Sequence, residues 1–226
     1  MTAGETRGDM SGRGVAAAGT SGDGPAADRS RPVVAVAGGP VLLEPARELR
    51  DALTTLGAAV AVVDLAADAT LPSGTVALVL GDGAPVPFAE ALAANAALRD
   101  AIVAVHRAGA PIVAEGAGVA LLTASLDGHA MCDLLPAVAS PGRGGVPGTV
   151  ELVAASDGPL HAAGDRAIGR PSAAVALDAG SGASPAWTVG RRPEGWAAPG
   201  LHASLVVVPW SVARARRLLA AAGVTA

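Results

Sequence analysis

Four short apolar runs without a single charge punctuate the first half of the chain: VVAVA at 33–37, AVAVV at 59–63, VALVL at 76–80 and PIVA at 111–114. Between them lie segments with helical spacing. In residues 44–56 (EPARELRDALTTL), Leu49, Leu53 and Leu56 make one apolar stripe, with Pro45 near the first turn and Gly57 after the last. Residues 88–108 read as a second helical stretch, broken near Asn95 and stopped by Gly109 and Pro111. A third, apolar helix is expected from Val119 to about Ser125. Uncharged runs of this length suit strands buried on both faces. Alternated with amphipathic helices, they predict an α/β fold with a mostly parallel sheet flanked by helices.

The second half changes character. Residues 128–200 are rich in Gly and Pro, with short apolar runs at 149–154, 173–177 and 186–189 that predict extra short strands, some antiparallel. A strong strand is expected over 201–208 (LHASLVVV) and a closing helix over 211–222, whose Arg214, Arg216 and Arg217 read as a solvated face. Residues 1–30 carry charges amid Gly, Ser, Thr and Ala without apolar periodicity and read as a disordered tail, so one domain is expected over 31–226. They contain no hydrophobic stretch of the kind a secretory signal needs, and no uncharged apolar run reaches the roughly 18 residues that span a bilayer. A cytoplasmic protein without a membrane partner is therefore expected.

Composition narrows the chemistry. Apolar residues make up 51% of the 226, enough for a sizeable core, but aromatics contribute only Phe88, Trp187, Trp196 and Trp210. The tryptophans read as packing anchors. All 16 basic residues are arginine, which excludes a P-loop lysine and a Schiff-base lysine. The net charge of −4 without an evident basic face argues against nucleic acid as a partner. The single cysteine, Cys132, excludes an internal disulfide and reads as a buried inert thiol. His106, His129 and His161 have no matched ligand pattern, so neither a metal nor another cofactor is expected.

In open α/β sheets ligands bind where loops converge at the carboxyl ends of strands. Gly81-Asp82-Gly83 follows the third run, Glu115-Gly116-Ala117-Gly118 follows the fourth, and His202 lies in the strand expected at 201–208. The second of these has the strand, tight turn and helix of a nucleophile elbow, with Gly116 at the apex. The same residues also make an ordinary glycine turn.

Several segments in order strengthen the first of those readings. GDGAPV (81–86), AEALAAN (89–95), PIVAEGAGV (111–119), DGHAMCDLLP (127–136) and PEGWAAPGLHAS (193–204) resemble the glutamine amidotransferase domain of the cobyrinic acid a,c-diamide synthase family. The likeness runs over roughly residues 31–222 and implies a class I glutamine amidotransferase-like, flavodoxin-like sheet. By that resemblance Gly116 occupies the position of the nucleophilic cysteine and leaves it vacant. His202 falls on the general base and remains as a remnant, or packs as a strand histidine beside Ser204. Gly81, Gly83 and Ala117 fall on the oxyanion and elbow region. Glu115 orients the elbow through hydrogen bonds, or sits partly exposed without a role. Asp82 brings a negative charge that opposes an oxyanion. The family segment that falls on IGRPS (168–172) keeps only its glycine. The family's ATP-binding domain has no counterpart here, so the resemblance implies an ATP-dependent synthetase as partner chain and a glutamine-like or carboxylate small molecule as ligand. Three roles follow: an amidotransferase-like domain without glutaminase activity, a divergent subunit in corrinoid amidation, or a plain interaction module.

Overall fold

The computed structural model describes Met1 and residues 31–144 and 148–225; the tail expected over 1–30 lies, but for Met1, outside the described residues. The first half follows the alternation of its sequence. Strand β1 (Val33–Gly38) leads to helix α1 (Arg47–Thr55), then β2 (Ala59–Asp64), β3 (Thr75–Leu80), helices α2 (Ala89–Ala94) and α3 (Ala96–Arg107), and β4 (Ile112–Glu115). Asn95 separates α2 from α3 because its side-chain oxygen accepts the Leu98 N–H, an N-cap that starts a new helix. The apolar helix expected over 119–125 is instead a 3₁₀ segment over Gly116–Leu122, buried at every residue. A segment sealed on all sides has no amphipathic face to reveal its period.

The second half contributes β5 (Ser125–Leu126), β6 (His129–Ala130), β7 (Val138–Pro141), β8 (Val150–Ala154), β9 (Arg166–Pro171), β10 (Val175–Leu177), β11 (Trp187–Val189), β12 (Arg192–Glu194), β13 (Trp196–Ala198), β14 (Leu201–Ser204), β15 (Val206–Val207) and α4 (Val212–Ala221). The strand expected over 201–208 is therefore two strands in different sheets. Leu205 breaks it where its N–H leaves the ladder for the Glu194 carboxylate.

The main sheet has the order β13-β14-β4-β3-β1-β2. All of its pairs are parallel except β13 with β14. Alternate residues divide its two faces. Ala35, Leu78, Leu80, Ile112 and Ala114 pack with α2 and α3, while Val34, Val36, Ala77, Val79 and Val113 pack with α1 and α4. Two smaller sheets, β10-β7-β5-β6 and β12-β11-β8-β9-β15, flank the carboxyl end of the main one, and Trp187 anchors the core of the latter. Among the described residues no helix is long and apolar enough to cross a membrane.

Candidate functional site

The turn after β4 is sharp. Gly116 has φ +67°, a left-handed conformation that favours glycine. Directly above it lies the loop after β3. Asp82 Oδ1 accepts the Ala117 N–H at 2.9 Å, the Gly83 N–H at 3.0 Å and the Ser172 hydroxyl at 2.8 Å. The two loops are also stitched by Gly118 N–H donating to the Gly81 carbonyl at 3.0 Å. A Cβ added at Gly116 would stand 2.5 Å from Asp82 Oδ1 and 2.6 Å from its Cγ. The carboxylate thus fills the volume that a side chain at the apex would need, and one of its oxygens already holds the N–H of the residue after the apex.

The glycines of the two loops differ in what they permit. A Cβ at Gly83 would meet the Val41 carbonyl at 2.6 Å and one at Gly118 the Gly81 carbonyl at 2.5 Å, whereas at Gly81 nothing lies within 4 Å. Close loop packing requires the first two glycines and not the third.

His202 and Glu115 lie together on a different side of the elbow. The register places Ser204 opposite Glu115 and His202 opposite Val113, which directs both His202 and Glu115 toward the α4 face. Glu115 is buried, and Arg214 of α4 reaches its Oε1 at 2.7 Å. His202 is wholly buried, with Nε2 3.4 Å from the same oxygen and Nδ1 3.2 Å from His161 Nε2. His161 in turn packs its ring on Trp187 at a centroid distance of 4.2 Å. A tautomer with the proton of His202 on Nε2 faces Glu115 with a donor and accepts from His161 at Nδ1, so that no two lone pairs oppose each other. Only Nδ1 of His202 is hydrogen-bonded, to His161, while Nε2 faces Glu115 Oε1 at 3.4 Å without a hydrogen bond of good geometry, and no hydrogen bond joins His202 to residues 116–118 or to Asp82 among the described residues.

Burial governs the charges in this cluster. It pushes the Glu115 carboxyl up, but Arg214 and His202 more than offset it and hold the group below its ordinary range. It pushes His202 down despite Glu115, and His161 down to about 4, aided by the neighbouring His202. Glu194 moves the other way. Its carboxylate accepts the Ser204 hydroxyl and the Leu205 N–H, both at 2.7 Å, yet burial pushes it up to about 7. Cys132 is buried among the α2 and α3 contacts, and burial pushes its thiol up to about 12, which leaves negligible thiolate near neutrality.

The structure therefore brings Gly81, Gly83, Gly116 and Ala117 around one carboxylate, and puts Glu115 with His202 in a separate buried cluster. The surface role expected for Arg214 is corrected: its side chain is 11% exposed and pairs with Glu115, whereas Arg217 is about half exposed. The signal was in the spacing, since Arg214 stands four residues before the buried Leu218 and shares its face. Glu115 is likewise buried rather than partly exposed, and its side chain meets Arg214 and His202 rather than the elbow. Ser172, at the end of the IGRPS segment, reaches Asp82 across 90 positions, a contact that no local pattern announces.

No protein-family model matches the sequence. Curated relatives do. The chain is 37% identical over 189 residues to a hydrogenobyrinate a,c-diamide synthase of Streptomyces coelicolor, covering 82% of this chain and 39% of that protein. It is 34% identical to the protein of the same name from Thermobifida fusca and 33% to that from Mycobacterium bovis, again over 82% of this chain. It spans about two fifths of the length of these relatives. Among solved structures, one described as a glutamine amidotransferase superposes with a TM-score of 0.62 at 18% identity, over 84% of this chain and 99% of that one. A chain in the structure of PurLQS from Thermotoga maritima gives 0.56 at 13% identity, over 84% and 97%. Those likenesses establish the fold. It is that of the class I glutamine amidotransferases, and over 82% of its length the chain is a homologue of part of the hydrogenobyrinate a,c-diamide synthases.

Proposed function

We propose that this chain is a glutamine amidotransferase-like domain without glutaminase activity, which serves by binding a small molecule or a partner synthetase. One observation carries the reading: the apex of the elbow is Gly116, and the space above it belongs to Asp82. Glutamine hydrolysis through a thioester begins when a thiolate attacks the carboxamide carbon and the carbonyl oxygen gains negative charge. At residue 116 there is no sulfur to form the bond. The Ala117 N–H, placed to meet such an oxygen, already donates to a carboxylate. Asp82 would repel the developing charge as well as block its donor. Cys132 offers no replacement, because its thiol is buried and protonated. In this reading His202 is a structural partner of Glu115.

The test is ammonia release from glutamine by the purified protein, together with Gly116→Cys and the pair Gly116→Cys/Asp82→Gly. No release above the blank is expected from the parent or from Gly116→Cys, in which the new Cβ meets the Asp82 carboxylate. Release by the parent that disappears in His202→Ala would overturn the proposal.

A second reading is favoured by the 37% identity to a hydrogenobyrinate a,c-diamide synthase. In it the chain is a divergent subunit in corrinoid side-chain amidation, and a separate ATP-binding chain activates the carboxylate. It expects the purified chain to stimulate amidation of a corrinoid carboxylate by such a partner. No stimulation with either glutamine or ammonium as nitrogen source would remove it.

A further inference from the structure

An open sheet has two edges, and the main sheet treats its own differently. A bare edge presents unpaired N–H and C=O groups to any strand that meets it. On the β13 side the chain covers its own edge. Gly195 N–H donates to the Gly180 carbonyl at 2.9 Å, Gly182 N–H to the Gly195 carbonyl at 3.2 Å and Ala197 N–H to the Ser184 carbonyl at 2.9 Å. On the other side β2 pairs with β1 alone among the described residues.

The backbone of β2 fixes which of its groups are bare. Ala59 N–H donates to the Pro32 carbonyl at 2.9 Å and so faces β1. The N–H and C=O groups of alternate strand residues turn to the same side. Ala59, Ala61 and Val63 therefore bond to β1, while Val60, Val62 and Asp64 turn outward. Charged side chains close the ends of that outward row. Asp68 Oδ2 accepts the Asp64 N–H at 2.9 Å. The Arg31 guanidinium donates to the Ala58 carbonyl at 3.4 Å and to the Gly57 carbonyl at 3.2 Å. Between these ends the N–H and C=O groups of Val60 and Val62 have no partner among the described residues. Nothing in the strand guards them either. Ala59 to Val63 contains no charge and no proline, and Val62 is 45% exposed.

We propose that this edge pairs with the same edge of a second copy of the chain, antiparallel about a two-fold axis at Ala61. In that register Val60 lies opposite Val62 of the second copy, and Val62 opposite its Val60. Each such pair exchanges both N–H and both C=O groups. The paired valines stand on one face of the joined sheet, where β-branched cross-strand neighbours stabilise it. The next outward pair sets Ala58 against Asp64 of the second copy. The guanidinium held at Ala58 then meets the Asp68 carboxylate held at the opposite Asp64, and the two-fold axis repeats that meeting at the other end. Parallel pairing would instead set Arg31 beside Arg31 and Asp68 beside Asp68. The contact is small, so the dimer is weak and concentration-dependent. Strands β1 and β3 separate β2 from β4 and its elbow, so the ammonia assay described above neither supports nor weakens this pairing.

The test is sedimentation velocity of the full chain over a concentration series, with amide hydrogen exchange at the same concentrations. The mass is expected to rise toward that of a dimer while the Val60 and Val62 amides gain protection. Val62→Pro removes an N–H that β1 does not use, which an edge strand tolerates, and is expected to weaken the dimer about tenfold. Arg31→Glu and Asp68→Lys change exposed side chains and are each expected to weaken self-association about threefold. An equimolar mixture of those two variants is expected to form a mixed dimer as tight as the parent, because both ends of the mixed interface then carry opposite charges. The proposal is overturned if the chain stays monomeric to millimolar concentration or if dimerisation leaves the Val60 and Val62 amides unprotected. A folded Val62→Pro chain that dimerises like the parent, or charge variants that show no preference for each other, would overturn it equally.

Discussion

The elbow at Gly116 and the cluster at Glu115 are neighbours in sequence and opposites in design. At the elbow a carboxylate meets neutral donors only: two backbone N–H groups and a hydroxyl. One residue earlier, a carboxylate meets a guanidinium and an imidazole inside the sheet. The first is a turn whose apex faces the chain's own Asp82 side chain. The second is a largely buried polar cluster in which a carboxylate is held by a guanidinium and an imidazole. The hydrogen bonds that hold the turn involve no side chain at residue 116. A buried charge cannot lose its partner so quietly.

The largest effect that would sharpen this contrast comes from Arg214→Leu. It strands the Glu115 carboxylate in the sheet, and removal of one partner of a buried pair costs about 3–5 kcal/mol. Urea unfolding should show this as a lower midpoint at unchanged slope. Adding Glu115→Gln should recover a large part, because the penalty belongs to the unpaired charge. A single variant within about 0.5 kcal/mol of the parent would mean that the ion pair is no more important than a surface one.

Gly116→Ala probes the other side of the comparison. The residue has φ +67° and its new Cβ would press on Asp82, so a loss of about 1–3 kcal/mol is expected from backbone strain with further cost from the clash. Asp82→Gly in the same chain should relieve only the clash. A double-mutant cycle therefore separates the two, and a coupling near zero would mean that Asp82 can swing aside freely.

How much of this was legible beforehand depended on periodicity. Strands such as β1 and β3 announce themselves because burial on both faces removes every charge from a short run. The sequence also places a break near Asn95, and the structure supplies its cause, a side-chain oxygen that caps the helix after it. The apolar helix expected over 119–125 starts three residues earlier, at Gly116, and is 3₁₀, a difference that total burial erases from the sequence. The site divided in the same way. Gly116 and Glu115 could be found from a local strand and turn pattern, and the conflict at Asp82 was evident from its charge. That Asp82 would take the Ala117 N–H, that Ser172 would reach it, and that Arg214 would turn inward depend on packing between elements far apart in sequence. Arg214 alone left a trace, in its spacing to Leu218.

A smaller effect distinguishes two buried groups by the sign of their response to pH. His161 is pushed down to about 4 from an ordinary 6.5, so between those values the unfolded chain binds the extra proton. Its share of stability is complete above about 6.5 and is lost as the pH falls toward 4. Glu194 is pushed up to about 7 from 4.5, so there the folded chain holds the extra proton. Its share is complete below 4.5 and is lost as the pH rises through 7. His161→Phe should therefore flatten the acid side of the stability profile, and Glu194→Gln the neutral side. Identical profiles for the two variants would show that neither group titrates as its burial demands.

The smallest change expected is from Ser172→Ala. The hydroxyl is one of three donors to Asp82 Oδ1, and the two backbone N–H groups remain after it is gone. A net loss of about 1 kcal/mol is expected, the usual contribution of one hydrogen bond in a partly exposed setting. Its value lies in what should not change. If the carboxylate is held by the turn itself, the amide resonances of Gly83 and Ala117 keep their positions and their protection from exchange. If Ser172 instead steers Asp82 over the elbow, those two amides lose protection together and Gly116→Ala becomes less costly in the Ser172→Ala background. The turn alone fixes two of the three donors within one residue of the elbow apex or of Asp82 itself, and that geometry favours the first outcome.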